Sequence, residues 1–249
     1  FFVSGGITAY MFNNNSVVNG SFAPDTFTPA GYFAGGNAGG SNVTTADKLV
    51  YSNDTTAAQT TANLSQARYG PGGCSGEGTK GFFAGGHTGG LVYNTLTDKL
   101  TYTTDRTNAK TTANLTQGRL FLAGISDSSA KGYFAGGNSG DFLATADKLT
   151  YSTEATTAQS SANLSQARDQ LAGCSGEGSK GYFAGGGSGG YVVLADKLIY
   201  TTDTTAAQTT ANLSQSRRSL TGITEGSTKG YFAGGDNGFG YLITVDKTT

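Results

Sequence analysis

Residues 76–86 read GEGTKGFFAGG, and residues 176–186 read GEGSKGYFAGG. Both begin with the spacing G-x-G-x-x-G, which in dinucleotide-binding proteins joins a strand to a helix whose first amides meet a pyrophosphate. The residues after the glycines decide against that use. FFAGG and YFAGG are aromatic and Gly-rich, and make poor helix. The equivalent stretches SDSSAKG (126–132) and TEGSTKG (224–230) keep the length but break the glycine pattern. The stretch is therefore predicted to be a tight hairpin turn entering a strand, with no cofactor. Its second half, an aromatic pair before a double glycine, is predicted to be the inner strand of its unit, where backbones approach closely.

Outward from this stretch, a period near 50 residues runs through the chain. The double glycine recurs at Gly35, Gly85, Gly136, Gly185 and Gly234, and the dipeptide Asp-Lys at Asp47, Asp98, Asp147, Asp196 and Asp246. The motif N-L-[ST]-Q-x-R ends at Arg68, Arg119, Arg168 and Arg217. Each Arg lies 21 residues after its Asp and 17 before the next double glycine in all four complete copies. From double glycine to Asp the gap is 12, 13, 11, 11 and 12, so all variation in length falls in one segment. That segment also varies most in sequence: NAGGSNVTTA, HTGGLVYNTLT, NSGDFLATA, GSGGYVVLA and DNGFGYLITV. A constant frame with one variable loop per unit is a common plan for binding scaffolds.

Local patterns supply strands. DKLTYS (147–152) alternates, with Asp147, Leu149 and Tyr151 on one face and Lys148 and Thr150 on the other. LAGCSGEGSKGYF (171–183) reads as a hairpin, and TTAAQTTANL (204–213) as an outer strand. No segment has capped helical periodicity. Four short strands in about 50 residues make one propeller blade. The fold class expected is all-β, a single β-propeller domain over residues 1–249 with blades from residue 31 onward. Length over period gives five blades, with six as the alternative because FFVSGG (1–6) looks like a further double-glycine strand. Residues 1–30 are read as a lead-in or closure segment, whose strand would complete the last blade and remove two open edges.

The order Arg, apolar strand, turn, aromatic-x-x-Gly-Gly, variable loop and Tyr-bearing strand resembles the kelch repeat over residues 31–249. One departure is the outer strand, where the kelch family carries Trp; this chain has no Trp and places Thr and Ala there. The Gly/Thr-rich arrays GYFAGG…DKLTYSTDTTAA are similar to those of phage and bacterial surface proteins. That resemblance implies a virion or cell-surface, extracellular setting.

Composition narrows the partners. Charged residues are 13% of the chain, against about 25% in an average globular domain. The formal net charge of −1 gives no reason to expect nucleic acid as a partner. No apolar run reaches the ~18–20 residues of a membrane span, so no membrane insertion is expected. The opening FFVSGGITAYMF has neither initiator Met nor basic leader, which suggests a processed or partial product. Cys74 and Cys174 occupy positions that hold Ile125 and Ile223 in other copies. They are read as small apolar core residues, not a disulfide.

No catalytic residues, metal site or cofactor are expected, and the chain is read as not an enzyme. Asp47, Asp98, Asp147 and Asp196 with Arg68, Arg119, Arg168 and Arg217 are read as structural ion pairs, because a carboxylate on a packed strand face needs a partner. His87, the sole histidine, lacks companions for a metal or a triad and is read as an exposed loop residue that could touch a ligand. Asn63, Asn114, Asn163 and Asn212 each begin an N-L-[ST] glycosylation sequon, but are read as stabilising the turn between blades. The loops would gather Tyr93, Phe142, Tyr191, Phe239 and Tyr241 on one face, where aromatics among hydrogen-bonding groups suit sugar or protein surfaces. The function expected is non-enzymatic recognition of a glycan or protein on a host or neighbouring surface, alongside other virion or cell-surface subunits. A purely architectural capsid or fibre subunit is the alternative, and a secreted glycan-active enzyme a more distant one.

Overall fold

The computed structural model describes residues 30–90, 92–176, 178–224 and 229–248. The lead-in, its FFVSGG stretch and the closure assigned to it lie outside the described residues.

Five antiparallel sheets follow one another as blades of a β-propeller. The first holds β1 (Ala30–Ala34), a short loop ladder β2 (Asn37–Ala38) and β3 (Ser41–Asn42), then β4 (Ala46–Val50) and β5 (Thr55–Ala58). The second holds β6 (Gly72–Gly76), β7 (Lys80–Ala84), β8 (Thr97–Thr101) and β9 (Arg106–Ala109). The third holds β10 (Ala123–Ser126), β11 (Lys131–Ala135), β12 (Ala146–Thr150) and β13 (Ala155–Ala158). The fourth holds β14 (Ala172–Gly176), β15 (Lys180–Ala184), β16 (Ala195–Ile199) and β17 (Thr204–Ala207). The fifth holds β18 (Thr221–Thr224), β19 (Gly230–Ala233) and β20 (Val245–Thr248). Strands pair in chain order within each blade, and blades 2, 3 and 4 have all four strands. The only helices among the described residues are single 3₁₀ turns after the outer strands, such as Ser160–Ala162.

Both Gly-rich stretches lie in the hairpins β6–β7 and β14–β15 and lead into strands, not helices. The inner strand is not the aromatic one, however. First strands of adjacent blades (β6, β10, β14, β18) touch one another at the axis, and GYFA is the second strand. The reason is steric. A Cβ on Gly173 of β14 would sit 2.5 Å from the Gly124 carbonyl oxygen of β10, so the axis admits only backbone there. Aromatic rings go instead into the wider gaps between blades: Tyr32 stacks on Tyr102, Phe82 on Tyr151 and Tyr133 on Tyr200, with centroids 5.6–5.9 Å apart. The expected outer strand 204–213 is likewise shorter; β17 ends at Ala207, and Thr209–Ala211 is a 3₁₀ turn.

Each gap is a separate small core. That between blades 2 and 3 holds Phe82, Ala84, Leu115, Leu122, Phe134, Leu149 and Tyr151. Cys74 belongs to it, and both cysteines are free and buried. Burial pushes both thiols up to about 12, as suits apolar packing and not reactivity.

The Asp-Lys dipeptide sends one charge to each neighbour, because successive side chains of a strand point to opposite faces. Asp98, Asp147, Asp196 and Asp246 meet Arg68, Arg119, Arg168 and Arg217, the Arg of the linker that enters the same blade. Lys48, Lys99 and Lys148 reach the other way, to Asp105, Glu154 and Asp203 of the next blade. The Arg pairs are therefore formed with the Asp that follows in sequence, not the one 21 residues before. Asp47, read as a member of such a pair, is exposed and has no ion-pair partner among the described residues, whereas Asp246 has one.

Each linker Arg also fixes the preceding blade. The Arg68, Arg119, Arg168 and Arg217 carbonyls accept hydrogen bonds of 2.8–2.9 Å from Gly36, Gly86, Gly137 and Gly186. The first glycine of each pair must be glycine: Gly136 has φ +71°, and a Cβ there would lie 2.8 Å from the Arg168 carbonyl. The sequon residues serve the same junction. Asn63, Asn114, Asn163 and Asn212 each accept the backbone N–H of the residue before Asp-Lys at 2.9 Å. The Ser or Thr two residues on donates its backbone N–H to the next blade's Asp at 3.1–3.2 Å.

Candidate functional site

The variable loops and the linkers emerge at the same end of the blades. There the residue after each linker Arg pairs with the residue after each double glycine, and that residue pairs with an aromatic of the loop. The resulting rungs are Tyr69–His87–Tyr93, Leu120–Asn138–Phe142, Asp169–Gly187–Tyr191 and Arg218–Asp236–Tyr241. Their inner backbone bonds are nearly constant at 2.8–3.1 Å, from Tyr69–His87 to Arg218–Asp236. The first two side chains differ in every blade, and the third is always aromatic.

A second ring lies inside the rungs. Gly70, Phe121, Gln170 and Ser219 all have positive φ, from 53° to 68°. The N–H of Phe121 donates to Gly70, that of Gln170 to Phe121, and that of Ser219 to Gln170, at 2.8–2.9 Å. This chain of peptide groups joins the starts of the inner strands and holds the rungs in register. Beneath it the inner strands lie backbone to backbone, so the face is a broad platform.

Two patches stand out on it. Tyr93, His87, Tyr69 and Phe121 form a continuous aromatic run, with neighbouring centroids 5.3–5.7 Å apart. His87 is therefore not exposed: it is 8% accessible, flanked by two Tyr rings, and its Nδ1 accepts the Gly89 N–H at 3.1 Å. The second patch is polar. The Arg218 guanidinium lies 4.9 Å from the Tyr191 ring centre and faces Asp236 at 3.6 Å. Burial pushes the Asp169 carboxyl above its ordinary value, opposed by the Arg218 charge. Phe142, Phe239 and Tyr241 are exposed, and Tyr93 and Tyr191 half-buried. The structure thus distributes the expected aromatics one or two per blade around the platform and does not gather them into one pocket.

Tyr69, Phe121, Asp169 and Arg218 escaped the reading of the sequence. Their signal was present: the two residues after the linker Arg are Tyr-Gly, Leu-Phe, Asp-Gln and Arg-Ser in successive copies, at no change of length. Among the described residues no three His, Cys, Asp or Glu side chains are grouped to hold a metal ion. A gap between blades 1 and 2, lined by Tyr32, Cys74, Phe82, Leu100 and Tyr102, has a volume of about 10 Å³, room for no more than a water.

No protein-family model matches the chain, and no curated protein matches its sequence. The solved structure of YjhT is similar to it, with a TM-score of 0.68 at 11% sequence identity. The likeness covers 87% of this chain and 77% of YjhT, and at that identity it shows the fold alone.

Proposed function

We propose that this chain is a non-enzymatic recognition module, a kelch-type propeller of a virion or cell surface that binds a glycan or protein through its loop platform. One observation carries the reading: the rungs keep their backbone bonds from blade to blade while their outward chemistry changes. A purely structural surface has no need of Tyr-His, Leu-Asn, Asp-Gly and Arg-Asp in four equivalent places. Retained aromatics beside changing polar groups suit glycan or protein surfaces, since rigid rings give contact area at small entropic cost. The long axis of such a ligand would cross several blades, with each rung reading one part of it.

The test is a glycan array together with pull-down from the surface on which the protein is found. The comparison is the triple variant Phe142→Ser, Tyr191→Ser, Phe239→Ser. The expected result is binding by the parent and at least tenfold weaker binding by the variant, at unchanged Tm. Binding that survives the three substitutions overturns the platform as the recognition surface.

A further inference from the structure

One rung of the platform is charged at both of its first two positions. Arg218 and Asp236 exchange backbone hydrogen bonds of 3.0 Å, which sets their side chains next to each other. The side chains do not satisfy one another. The Arg218 Nε is buried with no hydrogen-bond acceptor, and Asp236 Oδ2 lies 3.6 Å from it, too far for a hydrogen bond. The linker arginines differ. Arg168, for one, donates from its guanidinium to the Gly185 and Phe183 carbonyls at 2.9 and 3.1 Å.

The pair is nonetheless held in place. Asp236 Oδ1 accepts the Gly238 N–H at 2.7 Å, which leaves Oδ2 facing the guanidinium. The guanidinium lies over the Tyr191 ring, and the edge of that ring packs closely on Gly238, where a Cβ would lie 2.7 Å from Tyr191 Cε2. Asn237 Oδ1 closes the loop by accepting from the Phe239 and Gly240 N–H groups at 3.0 and 3.1 Å. The Arg218 and Asp236 side chains remain 40% and 27% exposed, and Phe239 of the same loop is 99% exposed.

Charge identifies what fits. The two formal charges cancel, and the buried Asp169 adds a second carboxylate to the field at Arg218. A bound anion would face two carboxylates, and a bound cation the guanidinium. A group that accepts and donates at once meets neither objection. Adjacent hydroxyls of a sugar do both: one accepts from Arg218 while the other donates to Asp236 Oδ2. Phe239 offers a flat apolar ring to the C–H face of the same sugar. We propose that Arg218 and Asp236 are the specificity-determining pair of a subsite for a neutral pyranose, with Phe239 as its stacking ring. Hydrogen bonds to fixed charged groups are the stronger kind, so an epimer that loses one binds more weakly. The inference rests on recognition by the platform, and names the class of ligand and the residues that read it.

The probes are the methyl glycosides of glucose, galactose and mannose, with glucuronate as the anionic control. Each is titrated into the full chain and followed by saturation-transfer difference NMR. Saturable binding of at least one neutral glycoside is expected, unchanged by added salt and stronger than that of glucuronate. Arg218→Lys and Asp236→Asn should each weaken it by about tenfold or more at unchanged Tm. Lys lacks the planar fork, and Asn keeps an oxygen for Gly238 but turns the free acceptor into a donor. Binding indifferent to either substitution overturns the pair; if Phe239→Ser still abolishes it, the platform stands. Preference for glucuronate, or no binding of any neutral glycoside, overturns the sugar class. In the latter case, a protein partner bound by the parent but not by the triple variant Phe142→Ser, Tyr191→Ser, Phe239→Ser still upholds the platform.

Discussion

At the scale of the residue, the linker Arg is the joint of the molecule. Its carbonyl holds the double glycine of one blade and its guanidinium the Asp of the next. Arg68, Arg119, Arg168 and Arg217 are fully buried, and burial draws the first three guanidinium pKa values down while the partner Asp opposes the shift. Removing one partner leaves an unpaired buried charge, whereas replacing both with apolar groups does not. Asp147→Asn is therefore expected to destabilise the fold by about 3–5 kcal/mol in urea unfolding. The double variant Arg119→Met, Asp147→Leu should recover most of that loss. A double variant no more stable than the single one would show that Arg119 acts mainly through its hydrogen bond to the Thr145 carbonyl. The alternation of DKLTYS made the inward Asp legible, and fixed spacing made the Arg legible. Which Arg meets which Asp was not legible, because constant spacing favoured the Asp 21 residues before, whereas the actual partner lies across the loop of variable length.

At the scale of the element, the turns between third and fourth strands carry acids that fasten blade to blade. Glu154 is approached by Lys99 at 2.5 Å, Lys110 at 2.7 Å and Lys80 at 3.4 Å. Burial alone would raise its pKa, but the three ammonium groups outweigh it and hold the carboxyl at about 2, below an ordinary 4.5. Asp203, between Lys131 and Lys148 and accepting from Tyr133, is likewise held at about 2, below 3.8. A carboxylate with a depressed pKa binds fewer protons folded than unfolded. Its stabilisation is thus complete above pH 4.5 and is lost as pH falls toward 2. Thermal unfolding across that window should show Tm falling steeply, with a shallower fall in Glu154→Gln; parallel curves would remove Glu154 from the acid response. These acids were present in the sequence at a fixed place, seven residues after the Asp of each Asp-Lys, but the alternation between Asp and Glu and a place in an outer turn gave no sign that they reach a Lys of the preceding blade. The inner strand was misplaced for a related reason: glycine marks close approach equally at the axis and under a linker carbonyl, and only the stacked rings separate the two.

At the scale of the whole molecule, five blades are joined only to their neighbours, so stability is close to a sum of nearest-neighbour junctions. Blades 2, 3 and 4 are covered on both sides by described blades, while blades 1 and 5 each have one neighbouring blade among the described residues. Hydrogen exchange should therefore be slowest in the inner strands β10 and β14 and fastest in β20 and β4, with no sharp step at any one junction. Uniform protection across all five blades would mean that the outer faces of blades 1 and 5 are as well covered in solution as the gaps between blades. The repeat length alone made the architecture readable, because a sheet of four short strands is what about 50 residues of this pattern can build. The rungs were only half readable: one variable segment announced itself by its changing length, whereas the other changes two residues without changing length.

The adjacency of Asp and Lys also guards the chain against its own repetitiveness. Units this alike invite a blade to dock in the wrong place or back to front while the chain is folding. Docking in the wrong place costs little, since every unit offers the same two faces. Docking back to front would set Lys against the linker Arg and Asp against the acid of the turn, two pairs of like charge brought together at the margins of a dry gap. The dipeptide thereby gives every sheet a direction of travel, and errors of orientation are rejected even where errors of order would be tolerated.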